Sequence, residues 1–204
     1  LEDSQFHPFA GVYQTYMIPN NGLDELLVAI RRVYASTFYH SAREYVRTTG
    51  LRAEDEKMGV IVQRMVGALH GGERFYPEVS GVARSYNFYP IGPQQPEDGI
   101  ASVALGLGRT IVEGHPTVRF SPRFPEHLPE EKTTQTKFYA LNVGQASACP
   151  TRVEDERVVS HDLRTAEQDA TLPLLASTYS SENDALYDGV ARDGTRIVTF
   201  APIL

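Results

Sequence analysis

Cysteine is almost missing from this chain, because Cys149 is the single one among 204 residues and no internal disulfide can form. A lone thiol fits a reducing compartment, and the chain does not open with a basic stretch followed by an apolar core, so we expect a cytoplasmic protein. No apolar run reaches the roughly 18 residues that a membrane span needs. The formal net charge of -7 disfavours a non-specific nucleic-acid binder, since such proteins are usually basic.

Several catalytic motifs are missing as well. No GxxxxGK[ST] occurs, which excludes a Walker-type phosphate loop, and "GLGRTIVEG" at 106–114 lacks the third glycine of the dinucleotide fingerprint. None of the six histidines has metal-ligand spacing to a cysteine or a carboxylate. The acidic clusters at 54–56 and 154–156 are interpreted as solvated surface. The sequence therefore predicts no catalytic residue and no metal ligand in this chain.

The hydrophobic pattern predicts one long helix among many strands. Apolar residues recur at three- and four-residue steps over 23–48, which is typical of an amphipathic helix. This order predicts an α+β fold, with a mixed sheet and one long amphipathic helix. The other predictions are strands over 59–67, 79–90, 100–108, 137–143 and 195–202, a hairpin-like element over 110–122, an exposed loop over 122–136, and a short helix within 150–171.

Gln63 interrupts the apolar run "GVIVQRMVG" of the predicted strand 59–67. A buried glutamine must find hydrogen-bond partners or lose about 1–3 kcal/mol. Two explanations stay open from the residues alone, namely a backbone partner or a bound ligand.

The segment "FHPFAGVYQTYMIPN" at 6–20 places a glycine and a threonine among aromatic residues. Gly11 has no Cβ, so its backbone can approach a ligand closely or adopt a positive φ. Consecutive amides in such a turn form a concavity that binds anions, and Thr15 adds a hydroxyl. The alternatives are a phosphate clamp over 9–15 and a tight turn with flanking aromatics.

Four motifs, in order along residues 1–120, resemble the ATP-binding domain of phosphoenolpyruvate synthase and pyruvate phosphate dikinase. "LEDSQFHPFAGVYQTYMIPN" is similar to the family pattern "ED…FAGxxxTYL", and "VIVQRMV" to "VVVQxMV". "SGVARSYNFYP" is similar to "SGVxFTxxP", and "GLGRTIVEG" to "GLGExVVxG". Residues 121–204 match less well.

The resemblance implies an ATP-grasp-like fold in which ATP is contacted by Gly11, Thr15 and Gln63. It implies an enzyme that uses ATP and Mg²⁺ to phosphorylate a histidine on another domain, and then passes the group to pyruvate. The expected partners are ATP and the phosphohistidine and pyruvate domains of the parent protein, without nucleic acid or membrane. Mg²⁺ ligands are expected outside this chain.

The sequence departs from the family pattern at two places. Arg109 stands where the family has glutamate, and Ala83-Arg84-Ser85 replaces an aromatic–threonine pair. The family's lysine, its Arg-Ser-Ser motif and its Gln-x-Arg strand have no counterpart here, so we expect the chain by itself to be inactive. The open alternatives are a related antibiotic or glucan phosphotransferase, a non-catalytic nucleotide-binding module, and a plain domain without a ligand.

The chain begins at Leu1 and ends on the apolar "TFAPIL", so we expect a truncated ATP-binding domain within a longer protein. Its expected parts are 1–66, with the glycine loop, the long helix and the Gln63 strand, and 67–204, with mainly strands and polar loops.

Overall fold

The structure is a computed structural model, and it describes residues 11–49, 57–125, 135–144, 157–190 and 193–204. The chain divides into two compact units. The first comprises the described residues of Leu1–Met65 and Ala146–Arg157, and the second those of Val66–Gln145 and Val158–Leu204. Cys149 lies outside the described residues.

The first unit contains two helices where the sequence predicts one. Helix α1 spans Leu23–Ser36 and helix α2 spans His40–Thr49. The single helix over 23–48 is therefore wrong at residues 37–39, where the amides of Phe38 and Tyr39 donate to carbonyls three residues back. The break has a local cause, because Ser36 and Thr37 bond back to the carbonyls of Val33 and Tyr34, and such bonds bend helices.

The apolar stripe of α1 and α2 is only partly covered within the structure. Leu26, Ile30 and Val33 are half-buried, whereas Leu23 and Phe38 are 67% and 77% exposed.

At the start of α1, Glu25 forms an ion pair with Arg157 at 2.7 Å. That contact ties residue 157 to the first turn of α1, where negative charge is favoured by the helix dipole.

The second unit is built mainly of short strands. In chain order they are β1 (Ala68–His70), β2 (Arg74–Tyr76), β3 (Ser80–Arg84), β4 (Ile100–Ala104), β5 (Val118–Phe120), β6 (Lys137–Asn142), β7 (Val158–Asp162), β8 (Ala176–Ser180), β9 (Ala185–Asp188) and β10 (Thr195–Val198). Two short helices accompany them, α3 (Arg109–Val112) and α4 (Leu163–Gln168).

These strands form three sheets, ordered β1-β2-β6-β7, β3-β4-β5 and β10-β8-β9. Every strand pair among the described residues is antiparallel. The predicted mixed sheet is therefore wrong, while the mixture of helices and strands is confirmed. Short turns join β1 to β2 and β8 to β9, as hairpins require, whereas β2 and β6 pair across about sixty residues of chain.

Other elements differ in part from the sequence prediction. The strand over 137–143 is confirmed as β6, and the short helix within 150–171 is α4. The strand predicted over 195–202 is confirmed only over 195–198, as β10. The strands predicted over 79–90 and 100–108 end early, as β3 and β4, and α3 replaces the first half of the hairpin predicted over 110–122. Of the loop predicted over 122–136, residues 126–134 lie outside the described part of the chain.

The strand predicted over 59–67 is wrong, because residues 57–67 join no sheet. Its apolar side chains face solvent instead, with Ile61 90% and Val66 83% exposed. An apolar, β-branched run satisfies the pattern of a strand, but a strand also needs a hydrogen-bonding neighbour. No such neighbour is present among the described residues.

The core of the second unit surrounds Tyr76 and Phe138, both fully buried, whose ring centroids lie 4.8 Å apart. Beside them, Asp169 receives two hydrogen bonds from Arg74, at 2.7 and 3.0 Å, and one from the Tyr76 hydroxyl at 2.9 Å. This polar network joins β2 to the end of α4. Among the described residues, no helix combines the length and the apolar character needed to cross a bilayer.

Candidate functional site

The loop after Gly11 begins with the positive φ that the sequence analysis allows for its glycine. Gly11 has φ +85°, in the left-handed region that glycine adopts readily, and it is exposed. A Cβ at this position would meet no described atom within 4 Å. The positive φ therefore explains the glycine.

Inward-facing groups anchor this loop to α1 and α2. Val12 is 2% exposed, and its carbonyl lies 3.5 Å from the Ser41 hydroxyl. The Gln14 amide donates to the Ser36 hydroxyl at 3.1 Å. The loop backbone is thus fixed on both sides of the break between the helices.

Tyr16 anchors the far end of the loop. The guanidinium of Arg32 lies over its ring at 5.9 Å from the centroid, a distance typical of a cation–π contact. Burial, together with the neighbouring Tyr39 side chain, raises the pKa of Tyr16 to about 12. Tyr16 therefore stays a neutral packing residue at physiological pH.

Thr15 faces the opposite way from its neighbours. It is exposed, whereas Gln14 and Tyr16 are half-buried. Neither its hydroxyl nor its amide has a partner among the described residues. Thr15 and Gly11 are thus the open positions of an otherwise anchored loop.

Gln63 lies in the same compact unit as Gly11 and Thr15. It is exposed, so water can satisfy its amide and the buried glutamine expected from the sequence is not found. No hydrogen bond links its side chain to another described residue. The side chain is available to a ligand, and its contact with ATP stays a prediction.

The "GLG" turn at 106–108 packs closely against strand β6. A Cβ on Gly106 would lie 2.7 Å from the Tyr139 carbonyl oxygen and 3.0 Å from Phe138. The Leu107 amide donates to that same carbonyl at 2.8 Å. The Gln135 side chain bonds both the amide and the carbonyl of Leu105, at 2.9 Å each. Gly106 is therefore required by the close approach of β6.

Arg109, the departure from the family glutamate, belongs to a polar cluster at the start of α3. It forms an ion pair with Glu113, and its guanidinium lies 5.1 Å from the Tyr139 ring centroid. Glu113 also accepts from Tyr139 at 2.9 Å and lies 3.1 Å from His115 Nε2. The Arg109 and Tyr139 hydrogen bonds lower the pKa of Glu113, so this carboxylate stays ionised.

A cavity of about 320 Å³ adjoins this cluster. Its wall is polar because Lys137 and Tyr139 project from one face of β6, while the alternate residue Phe138 faces the core. The lining residues are His115, Pro116, Gln135, Thr136, Lys137, Tyr139 and Ser160.

The second departure, Ala83-Arg84-Ser85, lies on and just after the edge strand β3, and all three residues are exposed. Arg84 pairs with Ile100 at the start of β4, whereas Arg109 follows the end of β4. The two substituted arginines are therefore placed at opposite ends of that strand. No group of three or more His, Cys, Asp or Glu side chains that could hold a metal ion occurs in the described ranges.

A family model, the AMP/ATP-binding domain of pyruvate phosphate dikinase, matches residues 1–173. The chain belongs to this family. The family predicted from the four motifs is thereby confirmed, and the match extends beyond residue 120, through β6, β7 and α4.

A curated relative supports the same family. A probable phosphoenolpyruvate synthase of Archaeoglobus fulgidus is 28% identical over 166 residues, which cover 79% of this chain. The chain spans 20% of the length of that relative. No solved structure matches the chain.

Two hydroxyls at the loop were missed by the sequence analysis. Ser36 is fully buried in the structure, yet both Ser36 and Ser41 fall inside what the periodicity predicts as one continuous helix. A serine pair in the middle of an apolar stripe is the only signal that could have indicated a break there. The partners of these hydroxyls, 22 and 29 residues upstream, are set by tertiary packing.

Proposed function

We propose that this chain is the ATP-binding portion of a phosphoenolpyruvate synthase-like phosphotransferase. In this proposal the loop after Gly11 lies against the phosphates of ATP, and Gln63 reaches the same nucleotide. The observation that carries the proposal is the anchored loop, with a positive φ at Gly11 and an outward Thr15. Membership of the AMP/ATP-binding family supports ATP as the ligand.

The loop fits the chemistry of a phosphate ligand. Gly11 leaves its backbone accessible, and Thr15 offers a hydroxyl donor and an amide that bond no other described residue. The guanidinium of Arg32 lies over the Tyr16 ring, so a positive charge is next to the loop despite the net charge of -7. Positioning and charge neutralisation are the main contributions that a protein makes to phosphoryl transfer.

In the parent enzyme we propose that a phosphoryl group passes from ATP to a histidine on another domain, and from there to pyruvate. An ATP-grasp-like arrangement would enclose the nucleotide, and Mg²⁺ would neutralise its phosphates through ligands outside this chain. The residues of this chain bind and orient the nucleotide. By itself the chain is proposed to bind ATP weakly or not at all and to transfer no phosphoryl group.

A non-catalytic nucleotide-binding module is the second candidate, and Arg109 is the observation in its favour. Its guanidinium is engaged by Glu113 and Tyr139, so the position where the family has an acid is filled by a paired cation. Antibiotic and glucan phosphotransferases that share this domain type differ in the acceptor. Incubating the full-length protein with ATP and pyruvate, and measuring phosphoenolpyruvate, separates these candidates.

Isothermal titration of ATP into the full-length protein tests the binding site. Gln63→Ala should weaken ATP binding about fivefold or more, because one hydrogen bond is lost. Val62→Ala, an exposed neighbour, is the matched control and should bind as the wild type does. Equal ATP affinity in the wild type and Gln63→Ala would show that Gln63 does not contact the nucleotide. Robust ATP hydrolysis by residues 1–204 alone would overturn the proposed inactivity of the isolated chain.

A further inference from the structure

Ser36 makes an unusual pair of contacts for the last residue of a helix. Its side chain is fully buried, and its hydroxyl donates to the Val33 carbonyl at 2.6 Å. The same oxygen accepts the Gln14 amide at 3.1 Å. One hydroxyl therefore uses both its donor and an acceptor position, and links α1 to a loop 22 residues upstream.

The contact determines which way the loop side chains point. With the Gln14 amide held inward, the next residue, Thr15, is exposed, and Tyr16 returns to pack under Arg32. The Ser41 hydroxyl, 3.5 Å from the Val12 carbonyl, adds a second contact from the start of α2. The break between α1 and α2 thus places both serines against the stretch that presents Thr15.

We infer that Ser36 is a positioning residue for the nucleotide, whose hydroxyl holds the Gln14 amide so that Thr15 faces the ligand. This inference rests on the proposed function, because it assumes that Thr15 contacts the nucleotide. Ser36 itself touches no ligand in this arrangement. Loss of its hydroxyl removes the partner of the half-buried Gln14 amide and allows the loop to turn.

Thr37 provides a matched control within the same helical turn. Its hydroxyl donates to the Tyr34 carbonyl at 2.8 Å, just as Ser36 donates to Val33, but it forms no hydrogen bond with the described residues of the loop. Thr37→Ala therefore removes the equivalent helix-terminal bond alone. A difference between Ser36→Ala and Thr37→Ala in ATP affinity or in hydrogen exchange at Gln14 therefore arises from the contact between Ser36 and the loop.

The test is made on the full-length protein with two measurements. Hydrogen-exchange mass spectrometry of peptides that cover Gln14 should show about fivefold faster exchange in Ser36→Ala and no change in Thr37→Ala. ATP titration should show about fivefold or more weaker binding in Ser36→Ala only. Ser36→Cys, which keeps the volume with a weaker donor and acceptor, replaces Ser36→Ala if that variant does not fold.

The outcomes separate this inference from the proposed function. If the wild type binds no ATP, the proposed function fails, and nucleotide positioning by Ser36 fails with it. Faster Gln14 exchange would then leave Ser36 a purely structural anchor. If the wild type binds ATP, unchanged exchange at Gln14 in Ser36→Ala overturns the inference, and so does wild-type ATP affinity in that variant.

Discussion

Arg74 and Asp169, 95 residues apart in the chain, form a bidentate ion pair with Nη2–Oδ1 at 2.7 Å and Nε–Oδ2 at 3.0 Å. The Asp169 side chain is 1% exposed and the Arg74 side chain 16%. The Tyr76 hydroxyl donates to the same carboxylate and lies 3.1 Å from the Thr171 hydroxyl. This pair is the polar centre of the second unit.

Asp169→Asn should lower the free energy of unfolding by about 3 kcal/mol, because a buried guanidinium loses its counter-charge. Urea unfolding of the purified chain measures the change. Glu73→Gln is the control, since Glu73 is exposed and meets Arg74 only at 3.3 Å, so the loss there should be under about 0.5 kcal/mol. Similar losses in the two variants would contradict the assigned role of the pair.

The same pair predicts an acid-dependent loss of stability. The hydrogen bonds from Arg74, and then that from Tyr76, lower the pKa of Asp169 below its ordinary value of 3.8, although burial opposes them. As the pH falls, the unfolded chain therefore takes up this proton before the folded chain does. The contribution of the Asp169 carboxylate to stability is complete above about pH 5. It is lost as the pH falls through the ordinary pKa of 3.8 toward the lower pKa of the folded state.

Urea unfolding between pH 7 and pH 3 checks this expectation. The wild type should lose more stability below pH 5 than Asp169→Asn does, because the variant has no carboxylate to protonate at this site. If the free energy of unfolding fell equally with pH in the two proteins, Asp169 would not contribute to the pH dependence of stability.

The glycines of the "GLG" turn should respond differently to alanine. Gly106 has φ +87° and no room for a Cβ beside the Tyr139 carbonyl, so Gly106→Ala should cost about 2–4 kcal/mol in strain and overpacking. Gly108 has φ -59° and open space around it, so Gly108→Ala should change stability by under about 0.5 kcal/mol. Thermal unfolding of both variants measures the contrast, and equal losses would refute the packing role of Gly106.

The Thr15 hydroxyl should affect ATP binding without affecting stability. Thr15→Val removes the exposed hydroxyl at nearly constant volume, so we expect about fivefold weaker ATP binding at an unchanged melting temperature. Thr15→Ser keeps the hydroxyl and should bind as the wild type does. Wild-type affinity in Thr15→Val would exclude a hydroxyl contact with the nucleotide.

Gly11→Ala tests the backbone of the same loop. No described atom lies within 4 Å of the added Cβ, so the expected cost of about 1–2 kcal/mol arises from the positive φ alone. A loop that relaxes away from this φ would bind ATP more weakly, which titration measures. If Gly11→Ala kept both its stability and its ATP affinity, the positive φ would have no role in the site.

The sequence predicted the elements whose signals are local, and it failed where a partner was needed. The periodicity over 23–48 correctly indicated helix, but it could not show that Ser36 and Thr37 bond back to the helix and end α1. The run 59–67 has the composition of a strand, yet it joins no sheet among the described residues. Gln63 was expected to be buried for the same reason, and it is exposed.

The candidate site was predicted at the level of residue types. Gly11 was expected either to let a ligand approach its backbone or to adopt a positive φ, and its φ of +85° shows the second feature. The contacts of Thr15 and Gln63 with ATP stay predictions. The packing of Gly106 against β6 could not be foreseen, because it depends on a strand about thirty residues further along the chain.

The amino-acid order alone determined the family and most of the helical character of 23–48, because each is encoded in short motifs or in local periodicity. The tertiary structure decided that the sheets are antiparallel and that the hydroxyl of Ser36 reaches the Gln14 amide. Those features depend on pairing between groups far apart in the chain. Such pairing follows from the packing of the whole unit, which no local pattern contains.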